Sequence, residues 1–136
     1  MMNDNAEAIA QRWVDRINAH DVERLLELMT PDHVFIDSLG QVVRGPEALR
    51  TAWRTYFDGM PDYAIEIESA IVSGDVVGLF GRARGTYAPD GRLRDENRWE
   101  VSATWRAVIR DGRVAQWQVY ADNKPVYDIL ARPLSA

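Results

Sequence analysis

Near the amino terminus the apolar residues Ala6, Ile9, Ala10, Trp13, Val14 and Ile17 recur at intervals of three and four. That spacing predicts a helix with one buried face from Asn3 to Ala19. Asn18 to Asp21 breaks it, and Asp21 can cap a second helix by accepting from the amides beyond it. Val22, Leu25, Leu26 and Met29 then share a face, and Pro31 closes the segment. Val34, Phe35 and Ile36 read as a short extended run ending in the turn Asp37-Ser38-Leu39-Gly40, with Val42 and Val43 returning. Gly45-Pro46-Glu47 starts a third helix, since proline lacks only an amide that is unpaired there anyway. Leu49, Ala52, Trp53 and Tyr56 form its apolar face.

After Pro61 the period falls to two. Ile65, Ile67 and Ser69 oppose Glu66, Glu68 and Ala70. Val77, Leu79, Gly81, Ala83, Gly85 and Tyr87 share one side of the next strand, with Phe80, Arg82, Arg84 and Thr86 on the other. Trp99, Val101, Ala103, Trp105, Ala107 and Ile109 alternate with Glu100, Ser102, Thr104 and Arg106, a half-buried strand. A turn at Arg110-Asp111-Gly112 leads to Ala115, Trp117, Val119 and Ala121, with Gln116, Gln118, Tyr120 and Asp122 facing away. Three helices before a meander of long antiparallel strands predict an α+β layer fold, helices on one face of the sheet. Strands this long twist, so a cone-shaped sheet wrapped around the amino-terminal helices is expected. The small residues Gly81, Ala83, Gly85, Ala103 and Ala107 leave room inside it.

Composition narrows the chemistry. The chain of 136 residues has the size of one domain, spanning 1–136 with no linker or internal repeat. With 16 Lys+Arg against 21 Asp+Glu the net charge is −5, which argues against a nucleic-acid or anionic-membrane surface. Cysteine is absent, which removes disulfides and thiolate chemistry. His20 and His33 are the two histidines, too few for a three-histidine metal site, and neither has metal-motif spacing. His20 suits a helix-end role, and His33 reads as an exposed loop residue. No cofactor or metal is expected. No apolar run is long enough for a membrane span and no signal peptide is seen, so the cytoplasm is the expected location.

The order of elements, with Trp13, Asn18-Ala19-His20-Asp21, Asp37-Ser38-Leu39-Gly40, Gly45 and Asp111-Gly112-Arg113-Val114…Trp117…Tyr120-Ala121-Asp122, resembles the SnoaL-like branch of the nuclear-transport-factor-2-like superfamily. The resemblance covers roughly residues 5 to 125 and implies the cone-shaped fold, commonly paired as a homodimer through the sheet. It spans ketosteroid isomerases, polyketide cyclases, epoxide hydrolases and non-catalytic binding or interaction domains. Against the ketosteroid isomerases, the general-base aspartate falls at Asp37. Their oxyanion tyrosine falls at Trp13, a supporting tyrosine at Trp53, and the protonated aspartate at Thr104 or Trp105, with strand parity favouring Trp105. The base position is kept and the oxyanion donors are replaced. The polyketide-cyclase resemblance implies an acid in an apolar cavity, and the strands offer no obvious inward one. The aspartate–arginine–aspartate pattern of the limonene-type epoxide hydrolases is not found in register.

Asp37 is therefore the candidate catalytic residue: a carboxylate at the mouth of an apolar cavity can accept a C–H proton. It can equally cap its own turn. Trp13, Ile17, Trp53, Tyr56, Tyr87, Trp105, Trp117 and Val119 are the expected pocket lining. Five tryptophans exceed what a small core needs, although each also suits packing between helix and sheet. Arg82, Arg84, Arg98 and Arg106 are read as the outer face, and Asp122 as a secondary, outward acid. The expected partner is a small hydrophobic or aromatic molecule. The chemistry is either cofactor-free isomerisation or cyclisation at Asp37, or none, the domain then binding a ligand or a protein partner.

Overall fold

Asn5 caps the first helix, its side chain accepting from the Ala8 amide at 2.7 Å. In this computed structural model, which describes residues 5–133, helix α1 runs Ala6–Asn18. The expected beginning at Asn3 lies outside the described residues. Ile9, Ala10, Trp13, Val14 and Ile17 are buried, the face that the spacing of three and four marks out. Asp21 caps α2 (Val22–Glu27) through the Arg24 amide. That helix is shorter than expected. Met29 already belongs to strand β1 (Met29–Ile36), which carries Pro31 inside an irregular stretch of pairing. Strand β2 (Val42–Arg44) returns beside it, and α3 (Pro46–Gly59) opens on proline.

Strands β3 (Ala64–Ser73), β4 (Val76–Thr86), β5 (Arg98–Arg110) and β6 (Arg113–Ala121) follow as an antiparallel meander, and a helix α4 (Lys124–Ala131) closes the chain. The sequence reading has no counterpart for α4. Among the described residues no helix is long and apolar enough to cross a membrane.

The sheet order is β2-β1-β6-β5-β4-β3. Two corrections follow. The sheet is mixed, because β1 runs parallel to β6. It is also open and is not a cone: β2 and β3 are its two edges and do not pair with each other. Twist alone does not close a sheet; closure needs a ladder between the edges, and the three-residue β2 offers little to build one. The layer arrangement stands, with α1 packed on β3 to β6, α3 on β1 and β2, and α4 on β5.

Two β-bulges shift the side-chain parity. Ile67 pairs with Gly81 but Ser69 with Phe80, so Glu68 is the extra residue, and beyond it Ala70 rather than Ser69 turns inward, opposite Leu79. Gly81 is required there: a Cβ on it would lie 1.8 Å from the Glu66 carbonyl oxygen. In β6, Ile109 pairs with Val114 and Val108 with Gln116, which leaves Ala115 unpaired and both Val114 and Ala115 buried.

Candidate functional site

The inner face of β4–β6, α3 and α4 enclose a cavity of about 260 Å³. That is near the lower end of small-molecule sites, roughly 300 Å³ and upward, so it suits one or two fused rings. Its floor is Ala83, Val101, Ala103, Trp105, Trp117 and Val119. Here the alternation of small and large residues has its effect. Ala83 and Ala103 leave the space, whereas Gly81 is filled by the β3 backbone and Gly85 by the Trp99 ring, 3.1 Å from where its Cβ would stand. Leu49, Ala52, Trp53 and Tyr56 of α3 form one wall. Val126, Tyr127 and Leu130 of α4 form another, and Tyr63 and Met60 come from the loop between α3 and β3. Phe35, Asp37 and Ser38 contribute from the end of β1.

Among the expected lining residues, Trp53, Tyr56, Trp105, Trp117 and Val119 are on this cavity. Trp13, Ile17 and Tyr87 are not. Trp13 and Ile17 lie in the core on the buried face of α1, where Trp13 packs against His33 at 5.2 Å and Trp117 at 6.0 Å. Tyr87 ends up at a separate surface recess with Asp90, Arg94 and Arg132, because β4 stops one residue earlier and the chain turns outward. Trp105 and Trp117 stack at 6.0 Å.

Asp37 caps its own turn and also lines the cavity. Its Oδ1 accepts from the Leu39 and Gln41 amides, each at 2.9 Å, and so holds the turn. Its Oδ2 takes no hydrogen bond from the described residues, and the residue lines the cavity. Ser38 beside it accepts from Asn123 at 3.0 Å, tying the turn to the start of α4. Asp122 is exposed and accepts from the Lys124 amide at the start of α4, away from the cavity. Asp37 is the one charged group in the lining.

Tyr63 escaped the sequence reading, and three side chains explain its position. Asn18 pairs with the Ile65 backbone as a strand would, donating to its carbonyl and accepting from its amide at 2.9 Å each. The His20 Nε2–H donates to the Tyr63 carbonyl at 2.7 Å, and its ring stacks on Phe57 at 4.1 Å. Asp62 accepts from the Thr86 amide and hydroxyl, both at 2.7 Å. The Asn18–His20 segment thus fastens the loop that presents Tyr63 to the cavity.

His33 departs from the exposed position expected of it. It is fully buried, and its Nδ1–H donates to the Val114 carbonyl at 2.6 Å, bridging the irregular β1–β6 pairing. Nε2 is then a bare acceptor without a partner. Burial holds the imidazole below its ordinary ionisation range, against the opposing pull of the Val114 carbonyl and the Asp32 charge. Among the described residues no group of three or more His, Cys, Asp or Glu side chains is placed to hold a metal ion.

The sequence model of the SnoaL-like domain matches residues 10–117. A search of curated proteins finds no match. Among solved structures, a provisionally assigned SnoaL-like polyketide cyclase from Jannaschia sp. CCS1 is similar at 24% identity and a TM-score of 0.75, covering 95% of this chain and 93% of that one. IdmH from Streptomyces antibioticus, also provisionally assigned as a polyketide cyclase, matches at 22% identity and 0.75, covering 94% and 99%. A protein with a ketosteroid-isomerase-like fold from Catenulispora acidiphila, solved with trimethylamine, matches at 16% and 0.77, covering 97% and 96%. At such identities the likeness speaks for the fold alone.

Proposed function

We propose, from the premise that the chain belongs to the SnoaL-like domain family, that its cavity binds a small hydrophobic molecule, cyclic or aromatic, on which Asp37 acts as the general base. One observation carries this reading. The two oxygens of Asp37 are divided in their tasks, Oδ1 held by two turn amides and Oδ2 left free on a residue that lines an apolar cavity. A carboxylate fixed through one oxygen presents the other without the entropy of a mobile side chain.

The chemistry needs no cofactor. Oδ2 takes a proton from the carbon next to a ligand carbonyl, and the C–H electron pair moves into an enolate whose oxygen receives the charge. In an isomerisation the same proton returns to a different carbon. In a ring closure the enolate carbon attacks a second carbonyl, and the proton passes to the alkoxide that forms. The provisional assignment of the Jannaschia and Streptomyces proteins as polyketide cyclases supports the second course.

The competing reading is a binding domain without turnover. It is favoured by the turn-capping role of Oδ1 and by the tryptophans at positions 13 and 105. Deuterium exchange separates the two. Wild-type protein should exchange the acidic protons of 2-tetralone in deuterated buffer faster than buffer alone. Asp37→Asn keeps an oxygen for the turn and should lower that rate by about 10²–10⁴, the usual worth of a positioned base. Equal rates for wild type and variant would leave only the binding domain.

A further inference from the structure

The polar groups of the cavity wall are divided unevenly between donors and acceptors. The Trp53 indole N–H is buried without a partner, in a residue 6% exposed that lines the cavity. Tyr56, Tyr63 and Tyr127 line it too, and their hydroxyls make no hydrogen bond with the described residues. On the acceptor side stand Asp37 Oδ2 and the Asn123 amide oxygen, the Asn123 Nδ2–H being given to Ser38 Oγ. The lining holds no Lys, Arg or His.

Tyr63 is the deepest of the phenols. Its ring meets Tyr56 edge-on at 4.9 Å and lies 6.1 Å from Trp99. Burial, with the neighbouring Tyr56 second, raises its ionisation well above the ordinary tyrosine range, so it remains a neutral donor. Burial and then Tyr127 push Tyr56 the same way, but Tyr56 and Tyr127 stand at the rim, each 38% exposed, where water tempers the effect. The weight falls on Tyr63 and Trp53.

We propose that the Tyr63 hydroxyl and the Trp53 N–H, with Tyr56 and Tyr127 at the rim, bind the oxygen of the ligand, and that this ligand is an uncharged ring compound bearing a carbonyl or phenol oxygen. The proposal deepens the reading of the cavity given above and rests on it. A buried donor left without a partner is destabilising, and a ligand oxygen relieves it. A carboxylate or phosphate ligand would meet no cation and would face Asp37. An ammonium ligand would leave the Trp53 N–H unpaired, since it brings no acceptor. These donors come from α3, its following loop and α4. Trp53 stands where the resemblance to ketosteroid isomerases puts a supporting tyrosine; Tyr56, Tyr63 and Tyr127 stand at none of the positions 13, 104 and 105 where it puts the oxyanion donors.

The test compares 2-naphthol with naphthalene, its oxygen-free counterpart, by calorimetric titration of wild-type protein and of Tyr63→Phe. This variant deletes one oxygen and keeps the ring packing; Trp53→Phe is a second variant, and circular dichroism checks both folds. Wild-type protein should prefer 2-naphthol, and Tyr63→Phe should weaken 2-naphthol by about five- to tenfold, the worth of one hydrogen bond, with naphthalene unchanged. Unchanged 2-naphthol affinity in both folded variants, or an equal loss for both probes, overturns the assignment. Failure of both probes to bind wild-type protein overturns the underlying cavity reading, and this proposal with it.

Discussion

Gly81→Ala tests the packing that positions β3 against the rest of the sheet. The new Cβ would sit 1.8 Å from the Glu66 carbonyl oxygen, 2.9 Å from its carbon and 3.1 Å from the Ile67 Cα. All three are backbone atoms of the neighbouring strand, so no side chain can swing aside. The strands must part around Glu66↔Arg82 and Ile67↔Gly81, beside the Glu68 bulge. Losing two ladder hydrogen bonds at about 1 kcal/mol each, with overpacking of roughly 1–3 kcal/mol, gives a destabilisation of about 3–5 kcal/mol. For a domain of this length that lowers the melting temperature by about 10 °C or more. Gly78→Ala is the control, since its Cβ would meet the Phe80 ring at 3.5 Å and the Ile71 carbonyl oxygen at 3.8 Å, both ordinary contacts. Thermal melts and urea titrations of both variants decide the matter. A Gly81→Ala melting temperature within about 2 °C of the Gly78→Ala value would refute the reasoning, because the clash would then relax at little cost.

Other outcomes follow from the same geometry. His33 has its ionisation lowered in the folded chain, so below about pH 6.5, its ordinary value, the unfolded state binds the extra proton. The stability present above that pH should fall as the pH drops toward the folded-state value, with a slope of up to about 1.4 kcal/mol per pH unit. Urea midpoints from pH 5 to 8 should show a shallower slope in His33→Gln. Asn18→Ala strands the Ile65 amide and carbonyl and should cost about 2 kcal/mol; because the loop carrying Tyr63 loosens, 2-naphthol should also bind less tightly.

The alternating strands were legible because one face of the sheet is covered and the other is not. Every second residue from Trp99 to Ile109 is buried, as a period of two requires. The pattern fails at the bulges, where an extra residue such as Glu68 or Ala115 shifts the parity without any local change in residue type. The parallel pairing of β1 with β6 is a contact between distant segments that local periodicity does not encode. His33 belongs to that pairing, which is why a polar residue between Asp32 and a strand reads as exposed and is instead enclosed. The last helix did have a signal: Pro125 in its first turn, with Val126, Ile129 and Leu130 spaced at three and four.

For the candidate site, Asp37, Trp53, Tyr56, Trp105, Trp117 and Val119 reach the cavity from positions the sequence singles out. Tyr63 and Tyr127 needed the structure, because one lies in a proline-bearing loop and the other sits on the unforeseen helix. Trp13 looks no different from Trp105 in sequence. Its helix packs over the sheet core, away from the cavity, and only the packing distinguishes them.

The most direct test of the cavity as the ligand site is the methyl NMR spectrum of alanine-labelled protein during titration with 2-naphthol. Binding in the cavity predicts saturable shifts among Ala52, Ala83, Ala103 and Ala121, which line it, with the buried Ala10 and Ala107 outside it little changed. Saturable binding that leaves all four lining methyls in place, or no binding at all, would contradict a ligand site there.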